Sequence, residues 1–210
     1  MTTPRRYPVP SRVHRTEDVV ERSRFITTVG PVASVDEARA FVAAVAREFP
    51  DASHGCWAYV VGPPGDTGRI GMSDAGEPRG TAGRPMLNAL LGSGVGDVAA
   101  VVTRYFGGVK LGTGGLARTY AACVKGALAA MPVTELIPMV EIHFRASYAG
   151  ARELGRLLDG AGAVVLEKSY GTEVLLRARV PQEQEARLRQ VLAGLGDAVR
   201  IEPHDPHESA

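Results

Sequence analysis

Hydrophobic and polar positions follow two periods along this chain, and the changes of period mark the predicted elements. Val35, Ala38 and Phe41 recur at helical spacing, and Ser34 with Glu37 in front of them has the pattern of a capping box, so we predict a helix there. Short apolar, β-branched runs predict strands. In this part of the chain, strands or hairpins are predicted at residues 19–32, 54–61 and 98–103, and further helices from Pro85 and Gly115.

The second part of the chain repeats this mixture in a recognisable order. Val140, Ile142 and Phe144 alternate with polar residues as a strand does, and leucines at helical spacing follow. Two strands at 163–167 and 173–180, a helix around Leu188 and a strand at 198–201 complete the order βαββαβ, which predicts a ferredoxin-like domain. The fold class is therefore α+β with two domains.

Prolines place the boundary between the two parts. The helical pattern that precedes residues 132–138 is broken there by Pro132 and Pro138, so we predict domains at 12–133 and 138–203. Residues 1–11 and 203–210 show no periodic pattern, and we expect them to be disordered.

Composition excludes several classes of protein. The chain has 210 residues, 45% of them hydrophobic and 22% charged, with a net charge of +1, which suits globular domains with real cores. It contains no run of about 18 apolar residues, so we expect a cytoplasmic protein with no membrane partner. Two cysteines are too few for a disulfide framework or a thiolate zinc site, and we expect neither a metal nor a cofactor.

The stretch from residue 104 to 128 carries the strongest functional signal. Glycines crowd between a predicted buried strand and a predicted helix, and the free amides of a helix N-terminus attract anions. A glycine-rich turn that only permits close packing fits the pattern equally well. From this stretch and the similar GTAGRP segment we predict the phosphate-binding residues Arg79, Gly83, Arg84, Arg104, Tyr105, Gly107, Gly108, Lys110, Gly112, Gly114, Gly115 and Arg118.

A second group of residues offers candidate chemistry. His54 and Cys56 share one face of a predicted strand, but neighbours two residues apart lie too far from each other for an ideal nucleophile and base. Asp74 and Glu77 can act as an acid and base, they can hold Mg²⁺ through their oxygens, or they can belong to an ordinary surface turn. If the protein is an enzyme, the catalytic candidates are His54, Asp74 and Glu77.

Four blocks of sequence resemble the YigZ/Impact family. They are SRFIT at 23–27, DASHGCWAY at 51–59, SDAGEPRGTAGRPML at 73–87 and the glycine-rich stretch from 104. The resemblance implies an N-terminal domain similar to the second domain of ribosomal protein S-five, with helices on one side of its sheet. It also implies a C-terminal domain similar to the last domain of elongation factor G. Gly55 and Ala75 depart from the family pattern, in which polar and acidic residues are usual.

These observations lead to three functional hypotheses. The first, which we favour, is a non-catalytic protein that binds RNA or the ribosome and regulates translation, since eukaryotic members of the family regulate translation under stress. The second is a hydrolase or transferase that acts on a small phosphorylated ligand with His54, Asp74, Glu77 and Lys110. The third is an adaptor that binds a protein partner.

Overall fold

A computed structural model describes residues 6–202, and the chain divides into two compact units. The N-terminal domain is Tyr7–Leu136, and the C-terminal domain begins at Ile137. Each has its own hydrophobic core. Within residues 6–202, no helix combines the length and the apolar character needed to cross a bilayer.

The elements of the N-terminal domain are β1 (Tyr7–Pro10), β2 (His14–Val20), β3 (Ser23–Pro31), α1 (Val35–Glu48), β4 (His54–Val60), β5 (Ile70–Ser73), α2 (Gly83–Leu91), β6 (Val98–Tyr105), α3 (Gly112–Ala130) and β7 (Val133–Leu136). Five of the strands form an antiparallel sheet with the order β2-β3-β6-β4-β5. A separate two-stranded ribbon joins β1 to β7.

Helices cover both faces of this sheet. Helices α2 and α3 pack on the face that carries Phe25, Cys56 and Ala100, and α1 packs on the opposite face, over Tyr59 and Ala99. The expectation of helices on one side only is therefore wrong. The reason lies in β6, which is apolar at consecutive positions and buried on both faces, so each face requires a cover.

Local signals predicted the starts of some elements better than others. The predicted N-cap is confirmed, because Ser34 Oγ accepts the Glu37 N–H at 3.1 Å; Glu37 Oε2 reaches back to the N–H of Ala33, one residue before the N-cap, at 2.9 Å. Helices α2 and α3 begin two and three residues earlier than predicted, at Gly83 and Gly112.

The ends of the N-terminal domain differ from the prediction. Residues 7–10 were expected to be disordered, but they form β1 and pair with β7, inside the segment predicted as the domain boundary. The Tyr7 hydroxyl, which donates to Asp97 Oδ2 at 2.7 Å, holds β1 in place. The remaining expectations of disorder, for residues 1–5 and 203–210, lie outside the described residues.

The C-terminal domain has the predicted ferredoxin-like order. Its elements are β8 (Met139–Ala146), α4 (Tyr148–Gly160), β9 (Val164–Tyr170), β10 (Val174–Pro181), α5 (Gln182–Ala193), a 3-10 turn (Gly196–Ala198) and β11 (Val199–Glu202). The antiparallel sheet has the order β11-β8-β10-β9, and Phe144, Leu154 and Leu188 belong to the core beneath its helices. The α+β fold class with two domains is confirmed.

Candidate functional site

A buried ion pair lies beside the glycine-rich stretch of the N-terminal domain. Arg104, at the end of β6, is only 4% exposed, and its Nη1 donates to Glu77 Oε1 at 2.6 Å. The same oxygen accepts the Tyr120 hydroxyl of α3 at 2.9 Å, and Arg104 Nη2 donates to Ser23 Oγ at 3.1 Å. Arg104 was predicted to contact phosphate, but its guanidinium is committed inside the domain. It does not belong to an exposed cationic patch.

The thiol of Cys56 closes this network. Its Sγ lies 2.9 Å from the Asp74 carbonyl oxygen and 3.3 Å from the Tyr120 hydroxyl. The pKa of the Cys56 thiol is raised to about 12, chiefly by burial; the Tyr120 hydrogen bond opposes this rise, and the negative charges of Glu77 and Asp74 add to it. The thiol is therefore protonated at neutral pH, which is the wrong state for a nucleophile.

The carboxylate of Asp74 caps α2. Its Oδ1 accepts the N–H groups of Ala82 and Gly83 at 2.9 and 2.8 Å, and its Oδ2 accepts the N–H of Gly80 at 2.8 Å. Burial disfavours the charged form, but these three hydrogen bonds and the charge of Arg79 outweigh it and lower the pKa of Asp74. An internal anion therefore occupies the start of α2, and the prediction that Gly83 helps to bind phosphate there is wrong.

His54 lies at the edge of the same cluster. Its Nδ1 is 3.1 Å from the Ala75 carbonyl oxygen, and because a carbonyl only accepts, Nδ1 carries a proton. Its Nε2 is 4.0 Å from Glu77 Oε2. The contact to Ala75 uses the backbone, so the departure from the family pattern at this position leaves it intact.

The three catalytic candidates are thus close together, but they are already engaged. Asp74 is directed at backbone amides, and Glu77 is buried against Arg104 and Tyr120. The His54 side chain is 25% exposed and Asp74 is also partly exposed, whereas Glu77 is buried. The arrangement is typical of a polar network that fixes a turn.

The sequence left two interpretations of the glycine-rich loop between β6 and α3, a turn that permits close packing and an anion site. Different glycines of the loop suit each interpretation. A Cβ on Gly107 would collide with the Arg22 carbonyl, and Gly108 and Gly112 have φ angles of 86° and 70°, which favour glycine. These three glycines are needed for close packing or for a positive φ angle, whereas Gly114 is exposed in the first turn of α3.

The N-terminus of α3 is open. Leu111 provides no side-chain cap, and the first turn contains no acidic residue. Lys110 and Arg118 are exposed and make no ion pair within the described part of the chain, and a Cβ on Gly114 would lie 3.4 Å from Arg118 Nη1. The guanidinium of Arg118 therefore lies against the first turn. The free amides and both cations face solvent here, unlike those at the start of α2.

Arg79 and Arg84 are also exposed, and neither is in an ion pair among residues 6–202. Tyr105, another predicted ligand residue, instead donates its hydroxyl to Asp51 Oδ1 at 2.9 Å and has the Arg24 guanidinium over its ring.

The sequence reasoning missed two residues that the structure places at this loop. Phe106 is 49% exposed, directly before the glycines, and Arg22 is in the turn between β2 and β3 with its carbonyl against Gly107. The signal for Phe106 was an aromatic residue at the point where a buried strand gives way to glycine. Arg22 gave no signal, because its proximity depends on the pairing of β3 with β6.

Comparison with known proteins places the chain in a family. The family model of the Impact N-terminal domain matches residues 21–128. The IMPACT family member YigZ of Escherichia coli (strain K12) is 40% identical over 185 residues, covering 88% of this chain and 91% of the relative. The IMPACT family member YvyE of Bacillus subtilis (strain 168) is 36% identical over 168 residues, covering 80% and 76%.

A solved structure supports the fold of the whole chain. The crystal structure of a hypothetical protein matches with a TM-score of 0.71 at 36% identity and covers 97% of this chain and all of that one.

Proposed function

Because the chain belongs to the Impact family, we propose that it is a non-catalytic, cytoplasmic binding protein of the translation apparatus. In this proposal it contacts the phosphates of RNA, free or within the ribosome, at the open N-terminus of α3. Lys110 and Arg118 provide the charges, and the first turn provides the amides. Arg79 and Arg84 extend the cationic surface.

The distribution of charge between residues 69 and 118 supports this proposal most directly. The segment has three acidic residues, and each is engaged within the domain: Asp74 at the start of α2, Glu77 with Arg104, and Asp97 with Tyr7 and the Gly62 N–H. Its cations, Arg104 apart, are exposed. In a chain whose net charge is only +1, this segment therefore exposes cations while its acidic residues are engaged internally, as phosphate binding requires.

The enzyme hypothesis receives less support. A general base needs an accessible carboxylate or imidazole within reach of a substrate proton. The carboxylate oxygens of Asp74 and Glu77 accept hydrogen bonds from donors within the domain, and burial keeps the Cys56 thiol protonated. His54 and Asp74 are both partly open to solvent, but backbone amides hold the Asp74 oxygens, so no second free catalytic group stands beside His54 in the described network.

Salt dependence tests the binding proposal. Affinity for a labelled RNA should fall steeply with salt, and Lys110→Ala or Arg118→Ala should each reduce the slope of log K against log salt by about 0.7 to 1. Fluorescence anisotropy across a salt series measures this slope, and sedimentation with ribosomes at low and physiological salt extends it to the particle.

Lys125→Ala is the matched control. Lys125 is exposed on α3 as well, but lies near the other end of the helix. Its replacement should leave the slope unchanged. If all three variants keep the wild-type slope, or if the wild type does not bind RNA at low salt, the proposal fails.

A further inference from the structure

Phe106 is a large aromatic side chain that the domain leaves outside its cores. Its ring is 49% exposed, and it belongs to neither hydrophobic cluster of the N-terminal domain. The main chain at this point is fixed, because the Phe106 N–H donates to Ser53 Oγ at 3.1 Å and the next N–H, of Gly107, donates to Ser23 Oγ at 3.2 Å. An exposed aromatic ring on a backbone that is fixed by hydrogen bonds is suited to stacking against a flat ligand.

The buried arginine supports this ring from beneath. The guanidinium carbon of Arg104 lies 5.5 Å from the Phe106 ring centroid, at cation–π distance. Glu77 and Ser23 hold the guanidinium in turn, so the support is rigid. One side of the ring faces Arg104, and the exposed remainder is open to a flat partner.

Two exposed cations belong to the same loop region as the ring. Lys110 follows it by four residues, and the Arg22 carbonyl is in contact distance of a Cβ placed on Gly107. Arg22 is exposed and makes no ion pair with another described residue, whereas Arg24, the next cation on that side, is paired with Glu17 at 3.1 Å. An exposed aromatic ring in a loop region that also carries unpaired cations is complementary to a nucleotide, which joins a flat base to anionic phosphates.

We propose that Phe106 stacks on an unpaired base, so that the loop after β6 selects single-stranded RNA over duplex RNA. This rests on the proposed function, because the phosphates of the same RNA contact the cations at the start of α3. In a duplex both faces of each base are covered by neighbours, so the ring has nothing to stack on. The cations bind either form, and the ring binds only the open one.

The test compares a single-stranded RNA with a blunt duplex of the same length, by anisotropy at constant salt, for the wild type and three variants. Phe106→Ala should weaken single-strand binding by about fivefold to a hundredfold and leave duplex binding and the salt slope unchanged. Phe106→Trp should keep the single-strand affinity, with tryptophan fluorescence that changes on adding the single strand alone. The control is Tyr170→Ala, which removes an exposed ring that also has a cation, Lys168, beside it.

Each outcome decides a separate point. If Phe106→Ala binds the single strand as tightly as the wild type, or loses affinity for both RNAs equally, the stacking role is overturned while phosphate binding stands. If the wild type binds neither RNA at low salt, the proposed function fails and the stacking role fails with it. Far-UV circular dichroism of each variant confirms that the exposed substitution leaves the fold intact.

Discussion

Arg104 shows how the meaning of a single residue depends on a distant partner. In the sequence it is a cation at the end of an apolar run and beside glycines, which suggested a phosphate contact. In the structure it is an interior charge that is neutralised by Glu77, 27 residues earlier in the chain. No local pattern announces this pairing, because β5 and α2 must form before Glu77 comes near β6. Short-range reasoning therefore assigned Arg104 the wrong role.

Removing the arginine should destabilise the N-terminal domain. Arg104→Ala leaves the Glu77 carboxylate buried with its cation lost, and we expect the free energy of unfolding to fall by about 3–5 kcal/mol. Urea titration followed by the fluorescence of Trp57 measures this loss, since Trp57 is the chain's only tryptophan and lies in this domain.

An apolar replacement of both partners is the control. Glu77→Leu with Arg104→Met should restore much of the lost stability, because it leaves no charge buried alone. If the free energy of unfolding of Arg104→Ala is within about 1 kcal/mol of the wild-type value, the interior ion pair does not stabilise the domain. Loss of RNA binding in Arg104→Ala would not by itself indicate a phosphate contact, which is why Lys110 and Arg118 are the residues to change.

At the scale of elements, the starts of the helices also show that sequence patterns do not reveal partners that are distant in the chain. The cap of α1 was predictable because Ser34 and Glu37 lie next to the helix they cap. The cap of α2 was not, because Asp74 reaches its amides across a turn of eight or nine residues. Sequence reasoning therefore took the start of α2 for an empty anion site, whereas the start of α3 was open as the pattern suggested.

Asp74 should stabilise the domain in a pH-dependent way. Its pKa is lower in the folded protein than in the unfolded chain, so its contribution is present above the unfolded value of about 4 and is lost as the pH falls toward the folded value. Asp74→Asn should therefore cost about 1–2 kcal/mol of unfolding free energy at pH 7, and the difference from wild type should shrink below about pH 4. Urea titrations across this pH range measure it.

Asp36→Asn separates capping from charge. Asp36 also lies in the first turn of a helix, but its side chain is 93% exposed. The Asp36→Asn replacement should therefore lower the free energy of unfolding by about 1 kcal/mol at most. A difference between Asp74→Asn and wild type that stays constant from pH 7 to pH 3 would contradict the role of the ionised carboxylate.

At the scale of the whole molecule, periodicity predicted two domains and their fold class, because apolar periods report directly which faces are buried. It failed where an element carries little periodic signal. β1 and β7 are four residues each and are stabilised by pairing with one another across the domain, and β5 is equally short with a glycine inside it. Periodicity also could not tell an exposed cation from a buried one, so Arg104 was predicted to bind phosphate together with the exposed Lys110 and Arg118.

The separate cores predict that the two domains unfold as two transitions. Gly150 lies in the first turn of α4 against the 3-10 turn, where a Cβ would collide with the Ala198 carbonyl, so Gly150→Ala should destabilise the C-terminal domain by about 1–3 kcal/mol. Gly155, in the same helix, has open space around it, and Gly155→Ala should instead stabilise that domain by about 0.5–1 kcal/mol. Far-UV circular dichroism in urea should show these opposite shifts, while the Trp57 fluorescence midpoint stays at its wild-type value in both variants, because Trp57 packs in the other core. A Trp57 midpoint that moves with the glycine substitutions would mean that the two cores unfold as one cooperative unit.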